Sequence, residues 1–350
     1  MDRRLRWACV GVGRNAATKG GATAIAYAHA EAMKRNADAF ELVAGVARHR
    51  ESLDAFAAEY PCRGYSDMRE LYAKERLDGV TVSTFAPDRE EHVLAAIAAG
   101  VRNVLVEKPL ALSMGAALRM KAAAEKAGAR LFVSFQRRYG HPFEAVREAV
   151  ESGRLGELVS IELAQPCPNA LDFGPHFINA ALFFLGGRKA LNVQAAAEGL
   201  GTEPWHGMFV EKRMTASVLF EGGVRVGYTA NPENGWEAPA IRVNGSEGFA
   251  EIWAEKPKGF GSVLRIVTPA GAENPVSDEN FHHGDADRFL YFGRCYADLA
   301  QAIGTGAPCR VDLEHGLATQ RILLGMYMSA QLGRTYSFAE GEPDPEFRFA

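Results

Sequence analysis

The sequence predicts an N-terminal α/β half with a doubly wound parallel sheet, followed by an α+β half with an antiparallel sheet. Up to about residue 135, short apolar runs rich in β-forming residues alternate with longer helical patterns. This alternation is typical of a parallel sheet that is covered on both faces. Beyond that point, strand-like runs follow one another through turn sequences such as NGSEG, which favours antiparallel pairing. We therefore predict two domains, residues 1–135 and 136–350.

Five strands are predicted in the N-terminal half because five short apolar runs are separated by helical patterns. The strands are RWACVGVG, FELVAGVA, GVTVSTF, RNVLVEKP and ARLFVSF. The segments between them, such as EEHVLAAIAAG, are long enough for helices and repeat apolar residues at helical spacing. A strand followed by a helix, repeated along the chain, is the connection that parallel strands require.

The C-terminal half mixes helices with consecutive strands. A helix at HPFEAVREAVESG precedes a strand at ELVSIELAQ, and another helix is predicted at about 172–186. Helical spacing returns at 286–304 and 312–333. The remaining predicted strands are MTASVLF, VRVGYTA, IRVNGS, GFAEIWA and SVLRIVTP.

The composition favours a globular protein that acts on a small molecule. The chain has 350 residues, of which 47% are hydrophobic and 23% charged, and its formal net charge is -4 at pH 7. This balance, without a block of lysine or arginine, excludes a footprint for nucleic acid or for an anionic membrane. Five widely spaced cysteines argue against a disulfide framework and a zinc site. We predict a cytoplasmic protein with no metal site.

The sequence GVGRNA at residues 11–16 directly follows the first predicted strand. Its G-x-G-x-x-A pattern is typical of a dinucleotide-binding turn, in which Gly11 permits the turn, Gly13 lets the backbone approach a pyrophosphate and Ala16 packs the helix. The connection that follows, residues 17–27, is long for a strand-to-helix loop and is interpreted either as a flap over the cofactor or as an inserted turn. The predicted cofactor contacts of this turn are Gly11, Gly13, Arg14 and Asn15.

The end of the second predicted strand, GVARHR, bears on the choice of cofactor. Ala47 stands where NAD-binding domains commonly carry an acidic residue for the ribose hydroxyls. Arg48, with Arg50 nearby, supplies a guanidinium that suits the 2′-phosphate of NADP. NADP is therefore the favoured cofactor. NAD is the alternative, and these arginines are then solvated surface charges.

Lys108 follows the fourth predicted strand, at the edge of a parallel sheet where ligands bind. An ammonium group at this place can hydrogen-bond a substrate hydroxyl and stabilise the alkoxide that develops as hydride leaves. Glu107 is then its partner or a contact of the cofactor. The alternative interpretation is that Glu107 and Lys108 are two exposed charges at the end of a strand.

The segment NALDFGPHFINAALFFLGG, residues 169–187, contains a second candidate group. Asp172 and His176 are four residues apart, so they share one face of a helix. An aspartate can orient an imidazole, and a histidine can accept a hydroxyl proton near neutral pH. Pro175 suits the first turn of this helix. The alternative makes Asp172 the N-cap of the helix and His176 a half-buried structural residue.

Five motifs of the chain resemble, in their order and spacing, those of one known family. The motifs are G-x-G-x-x-A at 11–16, Ser83 with Thr84, EKP at 107–109, QRRY at 136–139 and D-x-x-x-H at 172–176. Each motif alone is unspecific, but together they resemble the glucose-fructose oxidoreductase, inositol dehydrogenase and rhizopine-catabolism (Gfo/Idh/MocA) family. The resemblance covers nearly the whole chain.

The resemblance implies an N-terminal Rossmann domain and a C-terminal α+β domain whose large, mostly antiparallel open sheet forms a homodimer or homotetramer. It also implies NAD(P)-dependent oxidation or reduction of a sugar, cyclitol or related polyhydroxy compound. By position, Lys108 binds and polarises the reacting hydroxyl, His176 is the acid/base, and Asp172 orients it. The other implied contacts are Ser83, Thr84, Glu107 and Lys108 with the cofactor, and Arg137, Tyr139 and Asn179 with the substrate.

The sequence departs from the family pattern at several positions. Family members often carry T-P-x-x-x-H after the third strand, whereas TFAPDR places Phe85 and Arg89 in the Pro and His positions. His92, three residues further along, is interpreted as a helix-surface histidine. Asn179 stands where an aspartate commonly follows the histidine of D-x-x-x-H.

Three functions are compatible with these residues. The leading hypothesis is a dehydrogenase that transfers hydride between a nicotinamide cofactor and a carbinol carbon. The first alternative retains the cofactor and uses transient oxidation to cleave a glycoside without net redox change. The second is a non-enzymatic sensor of a dinucleotide or sugar, which is disfavoured because Lys108 and His176 are both present.

Overall fold

The chain falls into two compact units. The computed structural model describes residues 3–13, 25–231, 233, 238–257, 260–275 and 286–349. The first unit consists of Met1–Ala111, Ala116–Gln136 and Arg288–Gly316, and the second of Leu112–Gly115, Arg137–Asp287 and Leu317–Ala350. The predicted division into domains 1–135 and 136–350 stays a prediction. The compact units differ from it mainly in that residues 288–316 belong to the first unit.

Helices and strands occur throughout the described residues. The helices are α1 (Ile25–Arg35), α2 (Arg50–Glu59), α3 (Met68–Lys74), α4 (Arg89–Ala98), α5 (Met114–Ala127), α6 (His141–Glu151), α7 (Ala170–Phe184), α8 (Ala286–Thr305) and α9 (Leu313–Leu332). The strands are β1 (Leu5–Val10), β2 (Phe40–Val46), β3 (Arg63–Tyr65), β4 (Gly79–Val82), β5 (Asn103–Val106), β6 (Arg130–Val133), β7 (Leu158–Gln165), β8 (Ala190–Glu198), β9 (Glu203–Trp205), β10 (Met208–Val210), β11 (Arg213–Phe220), β12 (Arg225–Ala230), β13 (Ile241–Gly245), β14 (Phe249–Ile252), β15 (Leu264–Thr268), β16 (Gly271–Glu273), β17 (Tyr336–Ser337) and β18 (Arg348–Phe349).

The first unit is built on a parallel sheet, which in the described residues has six strands in the order β3-β2-β1-β4-β5-β6. Each neighbouring pair of strands is parallel. The chain starts at the centre, moves to one edge and then returns past β1 to the other edge, which is the strand order of the Rossmann fold. The carboxyl ends of β1, β4 and β5 therefore lie side by side, and this edge positions the candidate site.

Burial explains why these segments form strands. Every residue of β4 and β5 is buried, as expected for strands that are covered on both faces. Gly79 in β4 makes room for the ring of Trp7, because a Cβ atom at Gly79 would lie 2.1 Å from Trp7 Cζ3. The ring of Trp7 packs edge-on against Phe40 and Tyr296, so helix α8 contributes to the core of the first unit.

The second unit is built on a mixed sheet with the described order β16-β15-β14-β13-β7-β12-β11-β8-β17. Among the described pairs of this sheet, β7 and β12 are parallel and the others are antiparallel. Residues alternate between buried and more exposed along β11 and β12, so one face of the sheet packs into the core and the other faces outward. A smaller antiparallel sheet joins β9, β10 and β18.

Helix α7 is buried along most of its length and packs against β7, β12 and α6. Its N-cap is Asn169, whose side chain accepts the backbone N–H of Asp172 at 3.1 Å. The alternative in which Asp172 caps the helix is therefore wrong, and so is the expectation that Pro175 lies in the first turn. The helix starts two residues earlier than predicted, and Pro175 lies in its interior.

The predicted fold class is confirmed: a Rossmann-type parallel sheet precedes an α+β unit with a large, mostly antiparallel sheet. The prediction missed β8 and the short strands β3, β9, β10, β16, β17 and β18. Strand β3 has only three residues, and the sequence of β8, ALNVQAAAE, contains few β-branched or aromatic side chains. Among the described residues, no helix combines the length and the apolar character needed to cross a bilayer.

Candidate active site

Gly11 and Gly13 leave space at the carboxyl end of β1. Gly11 has a φ angle of +95°, and a Cβ atom there would lie 3.0 Å from the backbone of both Ser83 and Thr84, so another residue would be strained and crowded. No described atom lies within 4 Å of the Cβ position of Gly13, which leaves its backbone open to a pyrophosphate. The predicted contacts Arg14 and Asn15, together with Ala16 and residues 17–24 of the long connection, lie outside the described residues.

Several buried polar atoms at this edge of the sheet have no hydrogen-bond partner among the described residues. They are Ser83 Oγ, which follows β4, and Ser134 Oγ and Gln136 Oε1, which follow β6. Buried polar groups are nearly always hydrogen-bonded in folded proteins, so such atoms indicate a bound ligand or water. Together with the open turn at Gly13, they fit a dinucleotide, whose hydroxyl, phosphate and amide groups offer both donors and acceptors.

Arg89 is buried and joins the loops that follow β4 and β5. Its Nε donates to the carbonyl of Thr84 at 2.8 Å, and its Nη1 donates to the carbonyl of Pro109. The hydroxyl of Thr84 also contacts Nδ1 of His92 at 2.9 Å. Burial lowers the pKa of His92 below its usual value. The interpretation of His92 as a surface histidine is therefore wrong, because the bond to Thr84 holds its ring half-buried against the loop.

Glu107 is a buried carboxylate directly after β5, and only 3% of it is exposed. Its Oε1 lies 3.0 Å from Nε2 of His29, and its Oε2 accepts the backbone N–H of Lys108 at 3.1 Å. Burial by itself would raise the pKa of Glu107. The hydrogen bond from His29 and the charges of Lys108 and Arg89 instead hold that pKa below its usual value. Glu107 is thus a charged group in the interior.

Lys108 is half-buried at the carboxyl edge of the sheet, and its peptide bond to Pro109 is cis. The alternative interpretation of Glu107 and Lys108 as two exposed charges is wrong, because the carboxylate of Glu107 is held inside the protein by His29. In an open α/β sheet, this edge is where ligands bind. An ammonium group here can therefore hydrogen-bond a ligand hydroxyl.

Helix α7 carries Asp172 and His176, one helical turn apart on the same face. His176 is buried and Asp172 is half-buried. Asp172 is the third residue of the helix, where the helix dipole stabilises a negative charge. A carboxylate one turn before a histidine can orient the imidazole and stabilise its protonated form. This helix thus presents the residue types of an acid/base pair.

A second buried carboxyl group, Glu211, holds the start of helix α7. One of its oxygens accepts the backbone N–H of Ala170, and the other accepts the hydroxyl of Tyr327 at 2.6 Å. Burial raises the pKa of Glu211 above its usual value, although both hydrogen bonds act in the opposite direction. Glu211 therefore supports the helix that carries Asp172 and His176.

The predicted substrate contacts lie near one another on elements of the second unit. Asn179 accepts a hydrogen bond from Nε of Arg138 at 2.6 Å and donates one to the hydroxyl of Thr319 at 2.9 Å. These bonds anchor α7, and the predicted contact of Asn179 with substrate stays a prediction. The guanidinium carbon of Arg137 lies 5.5 Å from the ring centroid of Phe177, and the remaining predicted contact, Tyr139, is buried.

The residues predicted to select NADP lie at the end of β2. Ala47 is buried, whereas Arg48 is exposed and close enough to His92 to affect its pKa. Arg50 forms an ion pair with Asp54 at 2.9 Å on the same helix. Arg48 therefore suits a phosphate ligand better than Arg50 does, because the guanidinium of Arg50 is already engaged.

Sequence reasoning missed His29 and Glu211, which support the candidate catalytic residues. A signal for His29 was present, because it is the single histidine in the alanine-rich run IAYAHAEAM. A histidine within an apolar helix face must find a hydrogen-bond partner when it is buried. Among the described residues, no three His, Cys, Asp or Glu side chains have the arrangement of a metal site.

Comparison with family models identifies both halves of the chain. Residues 5–135 match the Gfo/Idh/MocA model described as an oxidoreductase family with an NAD-binding Rossmann fold, and residues 147–338 match the C-terminal alpha/beta domain of the same family. Curated relatives include the inositol 2-dehydrogenase of Pseudomonas savastanoi pv. phaseolicola, with 37% identity over 105 residues, or 30% of this chain and 31% of the relative. The myo-inositol 2-dehydrogenase of Thermotoga maritima is 32% identical over 150 residues, or 41% of this chain and 44% of the relative. The chain thus matches less than half the length of these relatives.

Solved structures share the fold over nearly the whole chain. An oxidoreductase from Agrobacterium radiobacter, crystallised with NAD+, L-tartaric acid and magnesium, has a TM-score of 0.80 at 20% identity and covers 96% of this chain and 99% of its own. The WlbA dehydrogenase from Bordetella pertussis, in complex with NADH and UDP-GlcNAcA, has a TM-score of 0.75 at 19% identity with the same coverage. Because two domain models of one family match residues 5–135 and 147–338, the chain belongs to the Gfo/Idh/MocA oxidoreductase family.

Proposed function

We propose that the protein is an NAD(P)-dependent dehydrogenase that acts on a CH–OH group of a sugar, a cyclitol or a related polyhydroxy compound. The observation that carries this proposal is the buried, charged Glu107, which fixes the backbone of Lys108 at the carboxyl edge of the parallel sheet. A lysine that must contact one hydroxyl needs such support, whereas a surface lysine does not. The names of the curated inositol dehydrogenases support a cyclitol or a similar polyol as substrate.

In this proposal, the side chains divide the work of moving a proton and stabilising charge. Lys108 donates a hydrogen bond to the reacting hydroxyl and stabilises the negative charge that develops on its oxygen. His176 accepts the hydroxyl proton, and Asp172 orients His176 and stabilises its protonated form. A bound nicotinamide supplies the hydride acceptor. The proposed contacts of the whole cofactor in the described part of the chain are Gly11, Gly13, Arg48, Ser83, Thr84, Glu107 and Lys108, and Arg14 and Asn15 complete them.

The proposed cofactor preference is NADP over NAD. It is supported by the missing acidic residue at Ala47 and by the exposed guanidinium of Arg48.

We expect Arg48→Ala to weaken NADP binding about tenfold, because one charge-assisted hydrogen bond is lost, and to change NAD binding less than twofold. Titration calorimetry with both cofactors measures this difference. Arg50→Ala is the matched control, because Arg50 is paired with Asp54. Equal weakening of both cofactors by Arg48→Ala would contradict the preference.

The dehydrogenase itself is tested by following the absorbance of reduced nicotinamide with NADP or NAD and a panel of sugars, cyclitols and sugar acids. We expect Lys108→Ala and His176→Ala each to lower kcat/KM on the order of a hundredfold, the usual contribution of a positioned acid/base or charge-stabilising group. Lys126→Ala is the control, since Lys126 is an exposed lysine of the first unit.

Two outcomes would overturn the proposal. Cofactor that binds tightly without being reduced by any member of the panel would redirect the search to glycoside cleavage or sensing. Activity that survives both substitutions would mean that Lys108 and His176 are not the catalytic residues. The contribution of Asp172 follows from Asp172→Asn, which should lower kcat more than it raises KM.

The proposal includes a homodimer or homotetramer formed through the outward face of the large sheet, and a cytoplasmic location. The assembly is supported by two small side chains on the outward face of β11, the exposed Thr215 and the half-buried Ser217. A purified protein that is monomeric by light scattering at micromolar concentration would contradict it.

The location is supported by the cysteines: all five lie in the described residues and none forms a disulfide.

A further inference from the structure

Glu107 is the end of a chain of hydrogen bonds that runs through the core of the first unit. Nδ1 of His29 lies 3.1 Å from the hydroxyl of Tyr296, which lies 2.7 Å from the hydroxyl of Thr81. Thr81 in turn accepts the indole N–H of Trp7 at 2.8 Å. His29, Tyr296, Thr81 and Trp7 are all fully buried. The chain therefore joins β1, β4, α1 and α8 to the loop that carries Lys108.

One arrangement of hydrogens satisfies every donor in this chain. The ionised Glu107 can only accept, so Nε2 of His29 carries a hydrogen and, in a neutral ring, Nδ1 accepts. Tyr296 then donates to His29, Thr81 donates to Tyr296, and the indole, which is a donor only, donates to Thr81. If the ring instead carried a hydrogen on both nitrogens, His29 would donate to Tyr296 and Tyr296 to Thr81. The Thr81 hydroxyl would then have no acceptor among these linked groups.

We propose that His29 and Tyr296 are positioning residues for Lys108, which act through the carboxylate of Glu107. The proposal rests on the dehydrogenase function proposed for Lys108, which it deepens. Glu107 uses one oxygen for His29 and the other for the Lys108 backbone, so the orientation of its carboxylate determines the position of the Lys108 N–H. The ring of His29 is held in turn by Tyr296 and by edge contact with Phe292 at 4.9 Å between ring centroids.

The hydrogen bond of Tyr296 joins residues that are far apart in the sequence. Tyr296 lies in α8, 267 residues after His29, and both residues belong to the first unit. Removal of its hydroxyl deprives His29 Nδ1 and Thr81 Oγ1 of their common partner without removing the ring that packs on Trp7 and Phe40. Orphaned polar atoms in a buried chain favour reorientation of the imidazole, and therefore of Glu107.

The direct test measures amide hydrogen exchange in the peptide that spans residues 104–112, using the full-length protein. We expect Tyr296→Phe to accelerate exchange of the Lys108 amide about tenfold, the effect of one lost buried hydrogen bond. Tyr72→Phe is the matched control, because the hydroxyl of Tyr72 has no hydrogen-bond partner among the described residues. This measurement requires no activity, so it separates a failure of the positioning proposal from a failure of the proposed function.

A second pair of variants protects the test against a poorly folded protein. Thr81→Val keeps the shape of the side chain but removes the hydroxyl that donates to Tyr296, and we expect accelerated exchange that is smaller than in Tyr296→Phe because Tyr296 still donates to His29. Thr81→Ser retains the hydroxyl, and we expect exchange close to that of the native protein. Equal exchange in all variants would overturn the proposal. Uniformly faster exchange throughout the parallel sheet would overturn it as well, because the effect would then be a general loosening.

The kinetic counterpart applies once dehydrogenase activity is found. We expect Tyr296→Phe to lower kcat about tenfold and Thr81→Val to lower it less, while the KM for the cofactor changes less than twofold in both, because Lys108 contacts the reacting hydroxyl. Thr81→Ser should restore kcat. An unchanged kcat in Tyr296→Phe would overturn the positioning role. Native protein that shows no activity would contradict only the proposed function, and the exchange measurement would still decide the positioning proposal.

Discussion

Glu107 and Glu211 are both buried carboxyl groups, one in each compact unit, and their pKa values move in opposite directions. The pKa of Glu107 lies below its usual value and that of Glu211 above it. Burial raises both, so burial does not explain the difference. Glu107 contacts the imidazole of His29 and lies near cationic side chains, whereas Glu211 contacts the neutral hydroxyl of Tyr327 and a backbone N–H.

This difference separates two uses of the same side chain. In the first unit, a charged carboxylate fixes the backbone of a lysine, and its charge is stabilised by the groups that it organises. In the second unit, a carboxyl group with a raised pKa accepts two hydrogen bonds, and a neutral side chain can keep both contacts by accepting one bond and donating the other. The partners, and not the depth of burial, therefore decide whether the charge itself is required.

The largest expected effect is that of Glu107→Gln on stability. The amide nitrogen of glutamine would face either His29 Nε2 or the N–H of Lys108, both of which donate to the native carboxylate. We expect the free energy of unfolding to fall by about 3 kcal/mol, as for other buried pairs that lose one charged partner. Urea denaturation measures the change. A loss below about 1 kcal/mol would show that the charge of Glu107 is dispensable.

The pH dependence of this loss sharpens the comparison. Because the folded-state pKa of Glu107 is lowered, its stabilising contribution is present above the usual carboxyl pKa and is lost as the pH falls through the folded-state value. The difference between native protein and Glu107→Gln should therefore shrink in acid. A difference that stays constant would contradict the assigned direction of the pKa shift.

Glu211→Gln should have a smaller effect with the opposite pH dependence. The glutamine oxygen can accept the N–H of Ala170, and its amide can donate to the hydroxyl of Tyr327, so we expect a change below about 1 kcal/mol at pH 5. A raised folded-state pKa contributes stability below the usual carboxyl pKa and loses it as the pH rises. Glu211→Gln should therefore gain stability relative to native protein between pH 5 and pH 8. Denaturation at both pH values tests this, and a relative loss at pH 8 would contradict it.

An effect smaller than that of Glu107→Gln is expected at Asn169, the other group that holds the start of α7. Asn169 has a φ angle of +71°, and its side chain accepts the N–H of Asp172. Asn169→Ala should cost about 1 kcal/mol for the lost cap and about 1 kcal/mol for the backbone conformation. Asn169→Gly is the matched variant that tolerates this φ angle, and it should cost only a few tenths of a kcal/mol. Equal losses in thermal unfolding would rule out a role for the backbone conformation.

The sequence was sufficient for the parts of the fold that repeat a local pattern. Strands β4 and β5 are buried along their whole length. Strands of this kind form short, mostly apolar runs in the sequence, and these runs are easily recognised. The membership of α8 in the first unit was not predicted, because a helical pattern does not show which unit the helix joins. That choice depends on Tyr296 meeting Trp7 and Phe40, which lie at the other end of the chain.

The candidate site shows the same limit. Gly11 and Lys108 were predicted from their positions at strand ends, where chain direction alone brings residues to one edge of a parallel sheet. His29 was missed because its partner Glu107 lies 78 residues away in the sequence. The two hydrogen bonds of Asn179, to Arg138 and Thr319, could not be predicted either, since residue type does not show whether an amide binds substrate or another side chain of the protein.

The return of residues 288–316 to the first unit has a consequence for how the protein can be made and divided. A ribosome delivers Trp7 and Thr81 long before Tyr296, so the first unit cannot finish folding as its early strands emerge. A fragment that ends at Gln136 would lack the partner of Thr81 and leave the ring of Trp7 partly uncovered. Exchange of the nucleotide-binding unit between relatives must therefore transfer two separate stretches of gene, the second of which encodes α8.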